Sequence, residues 1–373
     1  MGYVAVKGGT KAIEESIKRL KYERLKGREV IDVKDILSGM RGLIDIVMSE
    51  ASLYSRELAA VAIKQSEGNA EEAVFLLRAY RSTLPRKHYT KTADTRNMWV
   101  TRRISSSFKD ILGGQILGSA YDYTHRLIDF DLINETKEDA LKWLDGFNEY
   151  EKENIKNNTD LRKLPKVLDY LREEGLIKSY DDDDTEPKDI TKETLEFPTD
   201  RRERLQILTR GQTGGVNSLA YSALRTSGMD DHPNVGELRV GNLPLYISDP
   251  IDDENEDESD YYIGEINVTE VECFIPNVVK DNKRKNIKEL DIGYGICFGQ
   301  NETKAIAMSI LDQCLVRKNK KYHAGDEEFV LMSIDSVESS GFISHLKLPH
   351  YVTFQSELDS VRKTRKGESD NEG

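Results

Sequence analysis

Two stretches of this chain cannot enter a folded core, and they constrain everything around them. Residues 181–189, "DDDDTEPKD", hold six acids and one lysine. Residues 249–260, "DPIDDENEDESD", hold eight acids and no base. Neither has apolar periodicity, so both read as solvated loops. Together they carry the whole formal charge of −13, which leaves the rest of the chain formally neutral. A local cationic site for phosphates is therefore compatible with this composition. An extended basic face for nucleic acid is not.

The first run also serves as a boundary. The expected division is a helix-rich region over 1–180, containing a Gly/Arg/Tyr segment at 101–130, then an acidic linker at 181–200. An α+β region follows over 201–360 with the acidic insert at 249–260, and 361–373 is expected to be a disordered tail. At 373 residues the chain can bury a sizeable core. No apolar run approaches the ~20 residues that cross a bilayer. The opening "MGYVAVKGGTK" lacks a secretory pattern, and Val6 stands where a myristoylation signal wants Ser or Thr. Cys273, Cys297 and Cys314 are too few and too spread for a disulfide framework or a CxxC clip. A cytoplasmic location is expected, with no membrane and no nucleic-acid partner.

Along the chain, "YVAVKGG" (3–9) reads as a short strand, followed by a helical stretch through residue 27. Residues 33–84 read as helical throughout. In "NAEEAVFLLRAYRSTLP", Asn69 is placed to cap, Glu72 follows three residues on, and Pro85 closes. The run Val74-Phe75-Leu76-Leu77 has no polar face, which predicts a buried helix. Residues 86–135 lose helical periodicity, and 137–180 regain it. "RLQILTRGQTGGVNSLAYSALR" reads as helical pieces around a glycine turn. "GELRVGNLPLYIS" and "DYYIGEINVTEVECFI" read as strands flanking the second acidic run, a hairpin with an acidic tip. "LDIGYGICFGQNETKAIAMSILDQCLVRK" predicts strand, glycine turn and helix, with Asn301 as cap and Ile306, Ile310 and Cys314 on one face. "EEFVLMSIDSV" predicts a further strand. The class is α+β, a helix-rich N-terminal half and a mixed α/β C-terminal half with an antiparallel sheet.

Four constellations can carry chemistry. In "SHLKLPHYVTF" (344–354), His345 and His350 lie five apart. On a helix that spacing turns them about 140° apart, and on a strand it sends them to opposite faces. Pro349 favours a bend, and a bend can bring two rings together. Two unrelated histidines are the plainer reading. A zinc site needs three or four ligands, and the helical HExxH spacing is absent. The glycine clusters "KDILGGQILG" (109–118) and "GYGICFG" (293–299) match neither phosphate-loop pattern. They are ordinary tight turns or sets of backbone donors for phosphate. "YDYTHRLIDF" (121–130) packs Asp122, Tyr123, His125, Arg126 and Asp129 together, with Arg102, Arg103 and Lys109 upstream. These are either a solvated charged face or phosphate donors with a carboxylate–imidazole pair. The acids Glu237, Glu265, Glu270, Glu272 and Asp326 to Glu328 can hold Mg²⁺ or an oxocarbenium-like centre, or lie on the surface.

Read in order, "YVAVKGGTKAI", "EEAVFLLRAYRSTL", "RRIS", "KDILGGQILGSAYDYTHRLIDF", "HPNVGELRVG", "GEINVTEVE", "GYGICFG" and "DEEFVLMSIDSVESSGFISHLKLPHYVTFQSEL" resemble the PhnI family, the I subunit of the carbon–phosphorus lyase core complex. The likeness spans roughly residues 3–360 and is weak at 135–200 and near 250–260. It implies a place in phosphonate catabolism, with G, H and J partners in the core and K and L subunits associating. The implied reaction displaces adenine from MgATP by methylphosphonate and gives α-D-ribose 1-methylphosphonate 5-triphosphate. Purine nucleosidase activity is implied for the chain alone. The resemblance also implies zinc on His345 and His350, shared with a partner. Upon it rest further assignments: Arg102, Arg103, Lys109 and Arg126 with the Gly113 and Gly114 amides as phosphate anchors, and Tyr123 beside the nucleotide. His125 with Asp122 or Asp129 is expected to move the proton, with Lys347 beside the metal. A structural scaffold subunit and a free-standing zinc phosphohydrolase are the rival expectations.

Overall fold

The computed structural model describes residues 9–154, 164–177, 185–226, 232–248, 260–280, 286–319, 322–348 and 350–369. The helices before the first strand are α1 (Gly9–Leu25), α2 (Val33–Gly39), α3 (Arg41–Ala51), α4 (Arg56–Gln65) and α5 (Ala70–Ser82). Strand β1 (Trp99–Ile104) is followed by α6 (Lys137–Asn154), α7 (Val167–Glu173), α8 (Arg201–Arg210) and α9 (Thr213–Arg225). Then come β2 (Asn234–Ser248), β3 (Asp260–Lys280), β4 (Asn286–Phe298) and α10 (Glu302–Arg317). Helices α11 (Glu327–Ser333), α12 (Ser336–His345) and α13 (Tyr351–Ser369) end the chain. The α+β class holds. Residues 3–8 of the strand expected at 3–9, residues 181–184 of the first acidic run and 249–259 of the second lie outside the described residues.

The chain forms two compact units that cut it differently from the sequence boundaries. One comprises Met1–Pro85, Lys188–Leu219 and Asp326–Gly373, the other Arg86–Pro187 and Ala220–Gly325. Periodicity reports local structure, whereas this division depends on which distant segments pack together.

The first unit is helical, and its core is built from Ile44, Val47, Met48, Ala59, Ile63, Val74, Leu77, Leu208 and Val330. Asn69 caps α5 as expected, its side chain accepting from the Glu72 N–H at 2.9 Å. The helix is not buried all round, because Phe75 remains 50% exposed while Val74 and Leu77 are enclosed. "EEFVLMSIDSV" forms helix rather than strand. Asp326 caps α11 through the Phe329 N–H, and Asp335 caps α12 through the Val337 and Glu338 N–H groups. Two caps nine residues apart outweigh the β-branched content. The expected tail is helical through Ser369 within α13.

The second unit holds a four-stranded antiparallel sheet in the order β1-β2-β3-β4. The expected hairpin is present, with Ser248 opposite Asp260. Helix α10 covers one face. Gly293 and Gly295 lie within β4 rather than in a turn, and they let the helix approach closely. A Cβ at either position would sit 2.1 Å from the Ser309 or Ala305 carbonyl oxygen. Asn301 stands at the α10 N-cap position, but its amide donates to the Phe298 carbonyl instead. The other face is covered by residues 164–177. There Leu164 joins Met98, Val100, Leu243 and Val268, while Leu168 and Ile177 join Phe274 and Ile292.

Candidate functional site

In the first unit, the α11–α13 region presents the two histidines on an anchored element. The Asp335 carboxylate receives both contacts from Arg78 Nη1, at 2.7 and 2.8 Å, besides capping α12. Arg78 also donates from Nη2 to the Glu50 carbonyl at 2.8 Å and to the Arg210 carbonyl at 3.1 Å. Burial alone would raise the Asp335 pKa, but the Arg78 charge and the cap hydrogen bonds hold it below the ordinary value. From this buried start α12 runs outward, with Ser336 its one buried residue. It ends at His345, the chain turns over Leu346 to Leu348, and His350 precedes α13.

The bend brings the imidazoles together, with ring centroids 5.5 Å apart. His345 Nδ1 donates to the Phe342 carbonyl, and His350 Nδ1 donates to the Leu348 carbonyl at 2.6 Å. A carbonyl only accepts, so each Nδ1 carries a proton, and in the neutral ring the lone pair then lies on Nε2, the usual tautomer of a metal-binding imidazole. Two imidazoles on one tetrahedral zinc at ordinary Zn–N distances have centroids about 5 Å apart. The pair therefore fits zinc as half of a ligand set. Among the described residues no group of three His, Cys, Asp or Glu could hold a metal. Lys347 is exposed in the same turn.

In the second unit, two expected phosphate anchors are otherwise engaged. Arg103 is completely buried and fully committed. Its Nε reaches Glu237 at 2.6 Å, Nη1 the Leu112 carbonyl at 2.6 Å and Nη2 the Pro165 carbonyl at 2.7 Å. Arg102, also buried, binds Asp122 and the Leu117 carbonyl, and its Nε lies 2.8 Å from Glu302. A buried arginine whose charge is already paired with a carboxylate cannot grip a triphosphate as well. The Gly114 N–H closes a turn onto the Ile111 carbonyl at 2.8 Å. Gly113 has φ 82°, and a Cβ there would strike Leu164 at 2.4 Å. These glycines turn the chain.

The expected carboxylate–imidazole pair is not formed. Asp122 belongs to Arg102, with Arg126 Nη2 4.0 Å away, and Asp129 accepts from the Asp131 N–H at 3.1 Å. His125, Tyr123, Arg126 and Lys109 are exposed. What the structure brings together here is a loop clasped by Arg102, not a proton relay.

Sequence reasoning named acids of the densest charged cluster, Glu237, Glu270 and Glu272, but missed their buried cationic partners. Glu270, buried within the sheet, accepts from Lys166 at 2.8 Å, Thr95 at 2.7 Å and the Tyr294 hydroxyl at 3.0 Å, and pairs with Arg239. Burial pushes its pKa up, but Arg239 and Lys166 outweigh that and hold it at about 2. Glu272, 3.6 Å from both Lys166 and Arg172, is pushed up by burial and by Glu270. Burial beside these carboxylates also raises Tyr294 well above the ordinary phenol value. Glu237 receives Arg103 and the Val167 N–H at 3.0 Å. Glu237, Glu270 and Glu272 thus already have cationic partners, Glu327 lies 3.8 Å from Arg204, and Glu265, Asp326 and Glu328 are exposed. The available signal was the period-two charge in "GELRVG" and "TEVE", which places Glu237 with Arg239, and Glu270 with Glu272, on single strand faces.

The chain matches the family model for the bacterial phosphonate metabolism protein (PhnI) over residues 2–368. It is 41% identical over 377 residues to the alpha-D-ribose 1-methylphosphonate 5-triphosphate synthase subunit PhnI of Rhizobium meliloti (strain 1021), covering 98% of this chain and 95% of that protein. With the subunit of the same name from Escherichia coli (strain K12) it is 39% identical over 368 residues, 97% of this chain and 98% of that one. Among the described residues no helix is long and apolar enough to cross a membrane. A match to the family model over residues 2–368, with about 40% identity along the whole length of two members, leaves one conclusion: the chain belongs to the PhnI family of bacterial phosphonate metabolism proteins.

Proposed function

We propose that this chain is the I subunit of a cytoplasmic carbon–phosphorus lyase core complex, working with G, H and J subunits and with K and L associating. Its reaction displaces adenine from MgATP by methylphosphonate. A phosphonate oxygen bonds to C1′, the C1′–N9 bond breaks, and adenine leaves with a proton. The end-to-end identity of about 40% with two synthase subunits carries this reading. Acting alone, the chain would release the base to water as a nucleosidase.

Displacement at C1′ needs the triphosphate held, the leaving base protonated and the positive charge on the ribose stabilised. With Arg102 and Arg103 engaged in the fold, anchoring passes to the exposed Lys109 and Arg126. His125, exposed beside Arg126, is assigned the proton, and Tyr123 a contact to the nucleotide. His345 and His350 would hold zinc through their Nε2 atoms, with Lys347 adding positive charge. Zinc bound there would act as a Lewis acid towards phosphonate or ribose oxygens.

The free-standing hydrolase reading is disfavoured. It wants three ligands within one chain and no large exposed apolar patch, and the described residues offer neither condition. The scaffold reading draws on the commitment of Arg102 and Arg103 to internal pairs. Chromatography of the purified chain with MgATP separates the two. Release of adenine together with ribose 5-triphosphate, lost in His125→Ala and reduced in Arg126→Ala, supports catalysis within this subunit. Release that appears only with G, H and L present, and that is indifferent to both substitutions, supports the scaffold.

A further inference from the structure

Helix α6 is built to be covered by something outside its own unit's core. Of its side chains, Ala140 is half-buried and every other one described is exposed, Trp143 at 65%. Yet Ala140, Trp143, Leu144, Phe147 and Tyr150 follow helical spacing and share one stripe. Trp143 and Phe147 stack with centroids 5.2 Å apart, so the two rings of the stripe are already packed against each other. An isolated helix of 18 residues is marginal in water, and helices of this length normally gain their stability from a buried apolar face. The loop before it continues the surface, with Leu127, Ile128, Phe130, Leu132 and Ile133 all exposed, Leu127 at 83%. A contiguous apolar surface of this kind marks an interaction site.

The chemistry of the occupant follows from charge. A groove of about 530 Å³ runs between loop and helix, lined by Asp129, Asp131, Glu135 and Asp139 around Leu132 and Trp143. Residues 129–152 contain eight acids and three lysines. Two copies of so acidic a surface repel one another at short range, which disfavours a second copy of this chain. A segment presenting arginine or lysine between aliphatic or aromatic side chains meets both features, its cations in the acidic groove and its apolar groups against the Trp143–Phe147 pair.

We infer that the surface formed by residues 127–150 docks a basic, apolar-anchored segment of another subunit of the synthase. This rests on the reading of the chain as one subunit of that complex. The test compares amide hydrogen exchange of the full chain, alone and co-produced with the G, H and J subunits. Amides of α6 should slow at least tenfold in the complex. Trp143→Glu with Leu144→Asp should reduce co-purification at least tenfold and leave the isolated chain's Tm unchanged, since both side chains are exposed. Asp131→Lys with Asp139→Lys should weaken assembly several-fold, and 0.5 M salt should weaken the wild type in the same direction.

A complex that forms with unchanged exchange across 127–150 overturns the surface and leaves the subunit reading standing. Protection that grows with concentration of the chain alone assigns the surface to a second copy and overturns the inference. No complex under any condition overturns the subunit reading and the surface with it.

Discussion

The ionic cluster of the sheet and the histidine bend are both made of polar side chains, yet they differ in what they leave over. Around Glu270, the carboxylate and its cationic and hydroxyl partners face one another within a closed interior. At the bend, the fold uses one nitrogen of each imidazole and leaves the other with its lone pair in a half-buried or exposed ring. Charges paired with one another in a closed interior maintain architecture, while oriented groups that reach solvent are available for ligands. The contrast shifts functional weight from Arg102, Arg103, Glu237 and Glu270 to His345 and His350.

The largest effect that would break this contrast is expected at Glu270. Glu270→Gln leaves Arg239 and Lys166 facing a neutral group in a buried site, a loss of about 3–5 kcal/mol. Urea unfolding measures it, and a loss below about 1 kcal/mol would mean that the cluster is not structural.

Acid should act through the same carboxylate. Its folded pKa of about 2 lies below the ordinary carboxylate value of 4.5, so its contribution is fully present above the unfolded value and is lost as pH falls towards 2. The span corresponds to about 3 kcal/mol. Unfolding followed between pH 6 and 2 should steepen below about 4.5 in the wild type and flatten in Glu270→Gln.

At the bend the balance should reverse. His345→Ala and His350→Ala should each change stability by about 0.5 kcal/mol or less, as exposed substitutions do. Each should lower synthase turnover of the assembled complex by about tenfold or more, in line with loss of a metal ligand. Zinc content of the complex, measured by mass spectrometry, should fall in parallel. Unfolding of either variant would place the histidines in the structural class instead.

The smallest effect is expected at Glu272, whose pKa is raised. A raised carboxyl pKa favours folding at low pH, and that contribution is lost as pH rises through the folded value. Glu272→Gln should therefore be neutral or slightly stabilising at pH 7, within about 1 kcal/mol. A cost as large as that of Glu270→Gln would show the cluster acting as one indivisible unit.

Features written in short-range sequence were legible without coordinates. Asn69 and its capped helix, the pair α8 and α9 about Gly211, the β2–β3 hairpin and the α+β class all follow from caps, glycines and apolar periods within a dozen residues. Short apolar runs were less secure. "EEFVLMSIDSV" reads as a strand by composition, and the Asp326 cap decided for helix. That a bend could join His345 and His350 was also legible, since five residues span the gap.

What the sequence by itself determined, then, was the secondary structure near its caps and turns and the family through its ordered motifs. Tertiary structure alone decided which charges are available. Arg103 meets Glu237 across 134 residues of chain, Lys166 meets Glu270 across 104, and Arg78 meets Asp335 across 257. No local rule ranks such partners, because an arginine awaiting a phosphate and one closing a buried carboxylate are the same residue until packing fixes its distance from each.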